Sequence, residues 1–258
     1  MSKEEQFLQG YHAVVTGSGG GIGFVVASRL AELGATLTLM ELNPDSLKEA
    51  AEKIPGSTPV QIDITKEEAV QPAFAEARKA NGQIDILVNN VGNAVSSPFL
   101  DITVAQWQMI MNINLLGTFL CCRAALPDML EKKWGRIINV ASSVALKGCA
   151  YAVSYSSAKH GVVGLTRSLA LEYARTNVTF NSICPGYTQT ALLERSLDKI
   201  VESTGRPRDH AAEALLRMNP QHRFIQPGEI AETVAWLCRK ESTSVTGQSI
   251  AIAGGEIM

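Results

Sequence analysis

Tyr155 and Lys159 stand four residues apart in Tyr155-Ser156-Ser157-Ala158-Lys159, so on a helix they share one face. A free phenol, with a pKa near ~10, is a poor base at neutral pH. An ammonium beside it favours phenolate and lowers that pKa. A phenol tuned in this way takes or gives a hydroxyl proton near neutrality. The same pair also occurs on ordinary surface helices, so its neighbours must discriminate. Ser142 follows an apolar run thirteen residues before Tyr155. At the carboxyl edge of a parallel sheet its hydroxyl can hold a substrate oxygen; the bland alternative is a serine-rich loop, since Ser143 is adjacent. Asn114 is a polar side chain among apolar neighbours in Met111-Asn112-Ile113-Asn114-Leu115-Leu116 and needs a partner. It can bind a water that connects Lys159 to solvent, or serve as a satisfied structural asparagine.

A second constellation lies near the N-terminus. Thr16-Gly17-Ser18-Gly19-Gly20-Gly21-Ile22-Gly23 follows a short apolar run and opens a helix-like stretch. Glycines there let the backbone turn tightly and approach a pyrophosphate, while the helix N-terminus offers unpaired N–H groups and a positive dipole end. Alone, this is also how a plain strand-to-helix turn reads. Glu41 sharpens it, standing 18 positions after Gly23 at the end of a second apolar run. That is close to the ~20 expected of a carboxylate that binds a ribose diol. A carboxylate there repels a ribose 2′-phosphate. Neither Gly17–Gly23 nor Leu42 supplies a base to neutralise one, so NAD is expected over NADP. Asp63 and Ile64 close a third run, where the carboxylate can accept from an adenine amino group or cap the next helix. Asn89-Asn90-Val91-Gly92 ends a fourth; its asparagines can bond backbone, and Gly92 clears space for an adenosine.

These residues need elements to hold them. Short apolar runs alternate with longer helix-like stretches: strands at Ala13–Val15, Thr36–Met40, Pro59–Ile62, Ile84–Val88, Arg136–Val140, Val178–Ile183 and Ser249–Ile252. Helices fall between them, including one from a Thr103 cap toward Leu130 and one over Ser154–Ala174. This rhythm predicts a single-domain α/β fold over residues 1–258, a doubly wound parallel sheet of about seven strands with helices on both faces. Thr190–Gln226 breaks the rhythm as a polar, helix-like insertion without a strand, placed to act as a substrate lid. Of the 258 residues 46% are apolar, enough for one sizeable core, and the net charge of −2 gives no case for nucleic acid. No apolar run reaches bilayer-spanning length, and Met-Ser-Lys-Glu-Glu-Gln is no secretory signal, so no membrane partner and a cytoplasmic location are expected. The five cysteines are irregularly spaced, reading as reduced thiols, and the scattered His12, His160, His210 and His222 predict no metal site.

Taken together these motifs resemble the short-chain dehydrogenase/reductase family, in its small single-domain branch. Thr-Gly-x-x-x-Gly-x-Gly at 16–23, Asn-Asn-x-Gly at 89–92, Asn114, Ser142, Tyr155 with Lys159, Pro-Gly-Tyr-Thr-Gln-Thr from Pro185 and Thr-Gly-Gln…Gly-Gly over 246–255 match in order across nearly the whole chain. The resemblance implies hydride transfer between a nicotinamide and a carbonyl or alcohol carbon. It makes Tyr155 the acid/base, Lys159 its modulator and a ribose ligand, Ser142 the carbonyl-orienting group and Asn114 the holder of a relay water. The segment Pro185, Gly186, Tyr187, Thr188 and Thr190 would meet the carboxamide and pyrophosphate side of the cofactor. It also implies a homotetramer. Departures are few: Val91 stands where the family usually has alanine, and Ala145 where it often has glycine.

Substrate is harder to read. The lid pattern is similar to the family's 3-hydroxybutyrate dehydrogenases, which use polar and basic side chains to hold a carboxylate. The positions that correspond here are Ala94, Val144 and Ala152, which pair no carboxylate. An apolar pocket lined by Ala94, Val144, Cys149, Tyr187 and Leu193 is therefore expected, suited to a secondary alcohol or ketone. A 3-hydroxyacyl thioester, with its anionic carrier near the lid arginines, is the alternative. So is a non-catalytic NAD-binding redox sensor, which has no need of all four catalytic groups. A nucleotide-sugar epimerase or dehydratase would resemble longer chains with an added substrate domain.

Overall fold

In the computed structural model, residues 6–257 are described. The expectations placed on Met1–Glu5 and Met258 lie outside that range. Seven strands form one sheet: β1 (His12–Thr16), β2 (Thr36–Glu41), β3 (Thr58–Gln61), β4 (Ile86–Asn89), β5 (Gly135–Val140), β6 (Val178–Pro185) and β7 (Ser249–Ile252). Their spatial order is β3-β2-β1-β4-β5-β6-β7, and every pairing is parallel. Successive strand residues point to opposite layers, so a two-sided sheet needs apolar residues at nearly every position. Val15 and Ala13 join one core with α1 (Gly21–Glu32), α2 (Pro44–Lys53) and α9 (Pro227–Leu237). Val14 joins the other, with α3 (Glu67–Asn81), α5 (Gly117–Lys132) and the end of α6 (Val153–Glu172). The chain reverses its direction of winding between β1 and β4, and the crevice at the carboxyl ends of those two strands is where such sheets bind ligands.

Element boundaries shift for local reasons. The fourth strand begins at Ile86 rather than Ile84, because the Ile84 N–H is taken at 2.9 Å by the Asp128 carboxylate instead of a neighbouring strand. Thr103 caps as expected, accepting the Gln106 N–H at 3.1 Å. The long helix it opens is interrupted: α4 (Val104–Met111) passes through a π-helical turn at Asn112–Leu116 before α5. There the Asn114 side chain competes for the Ile110 carbonyl at 2.9 Å, and Thr118 Oγ1 takes the Asn114 carbonyl at 3.0 Å. Joined end to end, Val104–Lys132 is long and apolar enough to cross a membrane, which corrects the sequence expectation. Of its most apolar window 56% is buried within the fold, as in a core helix.

The insertion forms α7 (Ala191–Thr204) and α8 (Arg208–Leu216) with an irregular return. Leu193, Leu197, Ala211 and Leu215 make its own small core, against which Tyr187 and Phe224 pack. A lone parallel bridge between Thr188 and Ile225 closes its base, so the segment is not wholly without strand pairing. Arg208 pairs with Glu194 and Asp198, stapling α8 to α7. Lys199 Nζ donates to the Ser96 carbonyl at 2.8 Å, tying α7 to the loop after β4.

Candidate active site

Lys159 sits in the first half of α6 and is 2% exposed. Its ammonium donates to the Val140 carbonyl, the last residue of β5, at 2.7 Å. Burial lowers its pKa to about 8. Its Nζ lies 5.8 Å from the Tyr155 ring centroid, as two groups one helical turn apart must. Gly92 marks where a third group joins. A Cβ there would stand 3.0 Å from Asn114 Oδ1 and 3.3 Å from Lys159 Nζ, so only a glycine lets the two approach. Three elements thus converge at the carboxyl edge of β4 and β5: the π-helical turn, α6 and the Asn90–Gly92 loop.

Asn114 is fully buried and its carboxamide is well engaged. Nδ2 donates to the Asn93 and Ile110 carbonyls at 2.9 Å each, and Oδ1 accepts the Asn93 N–H at 3.2 Å. One lone pair of Oδ1 remains to face the Gly92–Lys159 side. The structural reading of this residue therefore holds beside any role with water.

Tyr155 and Ser142 meet from different elements. Ser142 follows β5 and opens a 3₁₀ turn at Ser143–Ala145, its Oγ accepting the Val144 N–H at 3.3 Å. Burial pushes the Tyr155 phenol up to about 12, the Ser142 hydroxyl pulls the other way, and Cys184 adds to the rise. The direction is opposite to the lowering that Tyr155-x-x-x-Lys159 suggested. Lys159 is turned to a backbone carbonyl, and desolvation dominates. Cys184, buried near the end of β6, was not singled out from the sequence; nothing in its neighbourhood along the chain marks it. Beneath the site a buried polar chain joins the strands to α6. Asn89 Nδ2 donates to Asn139 Oδ1 at 2.8 Å, and Asn139 Nδ2 to Thr166 Oγ1 at 2.9 Å. Asn89 therefore braces the sheet, and its neighbour Asn90 turns to the glycine loop.

That loop is built around close approaches. Gly17 and Gly21 have φ of 65° and 55°, in the left-handed region that side chains avoid. Asn90 Nδ2 donates to the Gly17 carbonyl at 3.0 Å, and a Cβ on Gly23 would come within 2.5 Å of that same nitrogen. Ser18 is buried, with Oγ on the Met40 carbonyl at 3.3 Å. No side chain caps α1 and its first turn carries no acid. A Cβ on Gly20 would meet nothing within 4 Å, so the start of α1 is open at that residue, while Ile22 packs against the first core. The unpaired N–H groups and the room above them fit a dinucleotide pyrophosphate.

Glu41 ends β2 beside this opening. Its Oε2 accepts the Gly19 N–H at 3.2 Å, and Oε1 accepts the Leu42 and Asn43 N–H groups at 2.8 and 3.2 Å. Asp63 Oδ1 accepts from the Thr65 N–H and hydroxyl at 2.9 and 2.6 Å, shaping the turn before α3. Ile64 packs on Gly117, where a Cβ would lie 2.5 Å from its Cδ1. Val91 leans on the second core. Across the crevice, Pro185 ends β6, and the Gly186 N–H bonds the Ile252 carbonyl at 3.0 Å. Thr188 Oγ1 bonds the Gly186 carbonyl at 2.9 Å, and Thr190 caps α7 while its Cγ2 stands 3.4 Å from a Cβ built on Gly21.

Of the residues expected to line a substrate pocket, Ala94, Val144, Cys149 and Tyr187 are half-buried, whereas Leu193 is 4% exposed and belongs to the small core of the insertion. Burial first, then Cys149 and Glu256, raises the Tyr187 phenol to about 12. Glu256, which the sequence reading passed over, reaches in from the segment after β7 to meet Lys147. Among the described residues no cluster of His, Cys, Asp or Glu is arranged to hold a metal.

Comparison with known proteins finds relatives over nearly the whole chain. A family model described as Enoyl-(Acyl carrier protein) reductase matches residues 17–256. A D-beta-hydroxybutyrate dehydrogenase of Rhizobium meliloti (strain 1021) is 35% identical over 250 residues, 94% of this chain and 97% of that protein. A 3-oxoacyl-[acyl-carrier-protein] reductase of Aquifex aeolicus (strain VF5) is 34% identical over 253 residues, 96% and 98% of the two chains. A crystal structure of an actinorhodin polyketide ketoreductase variant with NADPH superposes with a TM-score of 0.92 at 29% identity, covering 99% of this chain and 98% of that one. With the sheet order, the glycine loop and the Asn114–Lys159–Tyr155 convergence already in place, the chain belongs to the short-chain dehydrogenase/reductase family of oxidoreductases.

Proposed function

We propose that the protein is an NAD-dependent dehydrogenase of uncharged secondary alcohols and ketones. The observation that carries this reading is that Lys159 Nζ and Asn114 Oδ1 both stand beside Gly92, with Tyr155 one helical turn from Lys159. The glycine loop and the α1 N-terminus hold the pyrophosphate, and Glu41 receives the adenosine ribose diol. Bound NAD supplies the hydride acceptor. Tyr155 moves the hydroxyl proton, Ser142 orients the substrate oxygen, and Lys159 stabilises phenolate once oxidised nicotinamide adds its positive charge. In the reducing direction, a phenol raised to about 12 is fully protonated at neutral pH and ready to donate.

NAD is favoured over NADP because a carboxylate at Glu41 repels a 2′-phosphate and Leu42, which follows it, supplies no base to neutralise one. The half-buried Ala94, Val144 and Cys149 favour an apolar substrate. A 3-hydroxyacyl thioester is the second reading, favoured by the acyl-carrier reductase among the relatives and by the exposed Arg195 and Arg206 on the lid, which form no ion pair among the described residues. Assembly as a homotetramer in the cytoplasm accompanies either reading. Exposed Met109, Leu116 and Phe119 on the α4–α5 rod, 37–41% accessible, supply an apolar face for a second copy.

The test is a turnover screen by nicotinamide absorbance, with NAD and NADP separately, across cyclic, aryl and aliphatic secondary alcohols, neutral ketones and 3-oxoacyl thioesters. Turnover of neutral ketones with NADH is expected. Turnover confined to thioesters favours the second reading. Cofactor binding without turnover of any substrate contradicts both.

A further inference from the structure

The segment after β7 turns back into the molecule. Gly254 and Gly255 have φ of 60° and 91°, and a Cβ on Gly254 would collide with the Asn219 side chain. This tight turn delivers Glu256 inward, where its side chain is 3% exposed. Oε1 lies 2.7 Å from Lys147 Nζ and accepts from Ser143 Oγ at 3.4 Å. Oε2 lies 2.9 Å from where a Cβ of Gly186 would stand, so the carboxylate fills a slot that only glycine at 186 leaves open. Its two partners come from the loop that carries Ser142, and the slot from the segment that leads to Tyr187. Its charge reaches Cys149 and Tyr187, both on the substrate side.

A pocket that accepts a carboxylate-bearing substrate needs a cation free to meet it. Ala94, Val144 and Ala152 supply none. Lys147 is the one cation on the Ser142 loop before Tyr155, and Glu256 already occupies it. An incoming carboxylate therefore meets an ammonium already neutralised by Glu256, which Ser143 and the slot at Gly186 hold in place. We propose that Glu256 is a specificity-determining residue that occupies Lys147 and thereby turns the pocket against carboxylate-bearing substrates. The proposal rests on the reading of this pocket as the substrate site of a dehydrogenase. Neutral substrates feel little net charge from the pair.

The experiment measures the inhibition constant of 3-oxobutanoate against reduction of its neutral ester, ethyl 3-oxobutanoate, in the full-length protein. Glu256→Gln keeps the shape of the side chain and frees Lys147. The inhibition constant is expected to fall about tenfold or more, as one unit of charge close by implies, while the KM of the ester moves less than about twofold. Lys147→Met with Glu256→Gln removes both charges, and the constant is expected to return to about the parent value. A fall that persists in the double variant, or none in Glu256→Gln, overturns the proposal. Should Glu256→Gln lose its fold by thermal melt, Lys147→Met tests it from the other side: the constant is expected to rise about tenfold, and no change overturns it. Failure of the parent to reduce any neutral ketone is instead a failure of the dehydrogenase reading.

Discussion

The side chains that make the site legible are those whose chemistry depends on near neighbours in the chain. Tyr155 and Lys159 share a helix face by spacing alone, and the glycines of 17–23 lead into a helix by spacing alone. Asn93, Cys184, Lys147 and Glu256 escaped notice because their roles come from segments distant in sequence. Even the expected direction of the Tyr155 pKa came out reversed, since burial is a property of the fold and not of the motif. Asn114 tests how far a buried amide is structural. Its replacement by alanine strands the Asn93 N–H and leaves the Asn93 and Ile110 carbonyls short of a donor. Asn114→Ala is expected to lower unfolding free energy by about 2 kcal/mol in urea titrations, beyond any effect on turnover. Glu41 makes a separate prediction. The double change Glu41→Ala with Leu42→Arg is expected to move cofactor preference toward NADP by about tenfold or more in kcat/KM ratio. Unchanged preference means that Glu41 does not face the ribose.

Elements were legible wherever periodicity was strong, because helices on both faces force nearly every strand residue to be apolar. The π-helical turn at Asn112–Leu116 was not, since apolar spacing runs on smoothly through it. Only the side chain of Asn114, taking the Ile110 carbonyl, shows why the helix widens there. The segment Thr190–Gln226 was legible as an insertion, but its internal core and its Arg208 staples to Glu194 and Asp198 were not. On the proposed reading, cofactor binding depends on the β1–α1 turn. A Cβ on Gly23 would stand 2.5 Å from Asn90 Nδ2 and still closer to the Gly17 carbonyl. Gly23→Ala is therefore expected to force the loop open, weakening NAD binding by about tenfold or more in a fluorescence titration and costing about 1–3 kcal/mol of stability. Parent-like affinity would show that the pyrophosphate does not use this turn.

At the scale of the whole molecule, chemistry sits at one edge of the sheet and a buried charge network at the other. His12, 2% exposed, pairs through Nδ1 with the Gly82 carbonyl at 2.9 Å and through Nε2 with Thr38 Oγ1 at 2.8 Å. Asp85 accepts the His12 N–H at 2.9 Å and pairs with Lys132, and Asp128 lies close by. Burial lowers the His12 pKa below its ordinary 6.5, against the opposing pull of the Gly82 carbonyl and the two aspartates. The unfolded chain therefore takes the proton first. Stability from this group is full above the ordinary value and is lost as pH falls below it, at a slope of up to ~1.4 kcal/mol per pH unit. His12→Gln is expected to flatten the fall in melting temperature between pH ~6.5 and ~5; an unchanged slope assigns the acid sensitivity elsewhere. The architecture as a whole brings Tyr155, Lys159, Ser142 and Asn114 to one crevice, and the account depends on what the phenol does there. The decisive measurement compares Tyr155→Phe with the parent in steady-state turnover of a neutral ketone, alongside NAD binding by fluorescence. Loss of the phenol proton is expected to cut kcat by about 10³-fold or more with cofactor affinity within about twofold. Turnover within about tenfold of the parent would contradict the assignment of Tyr155 as the proton-transferring group.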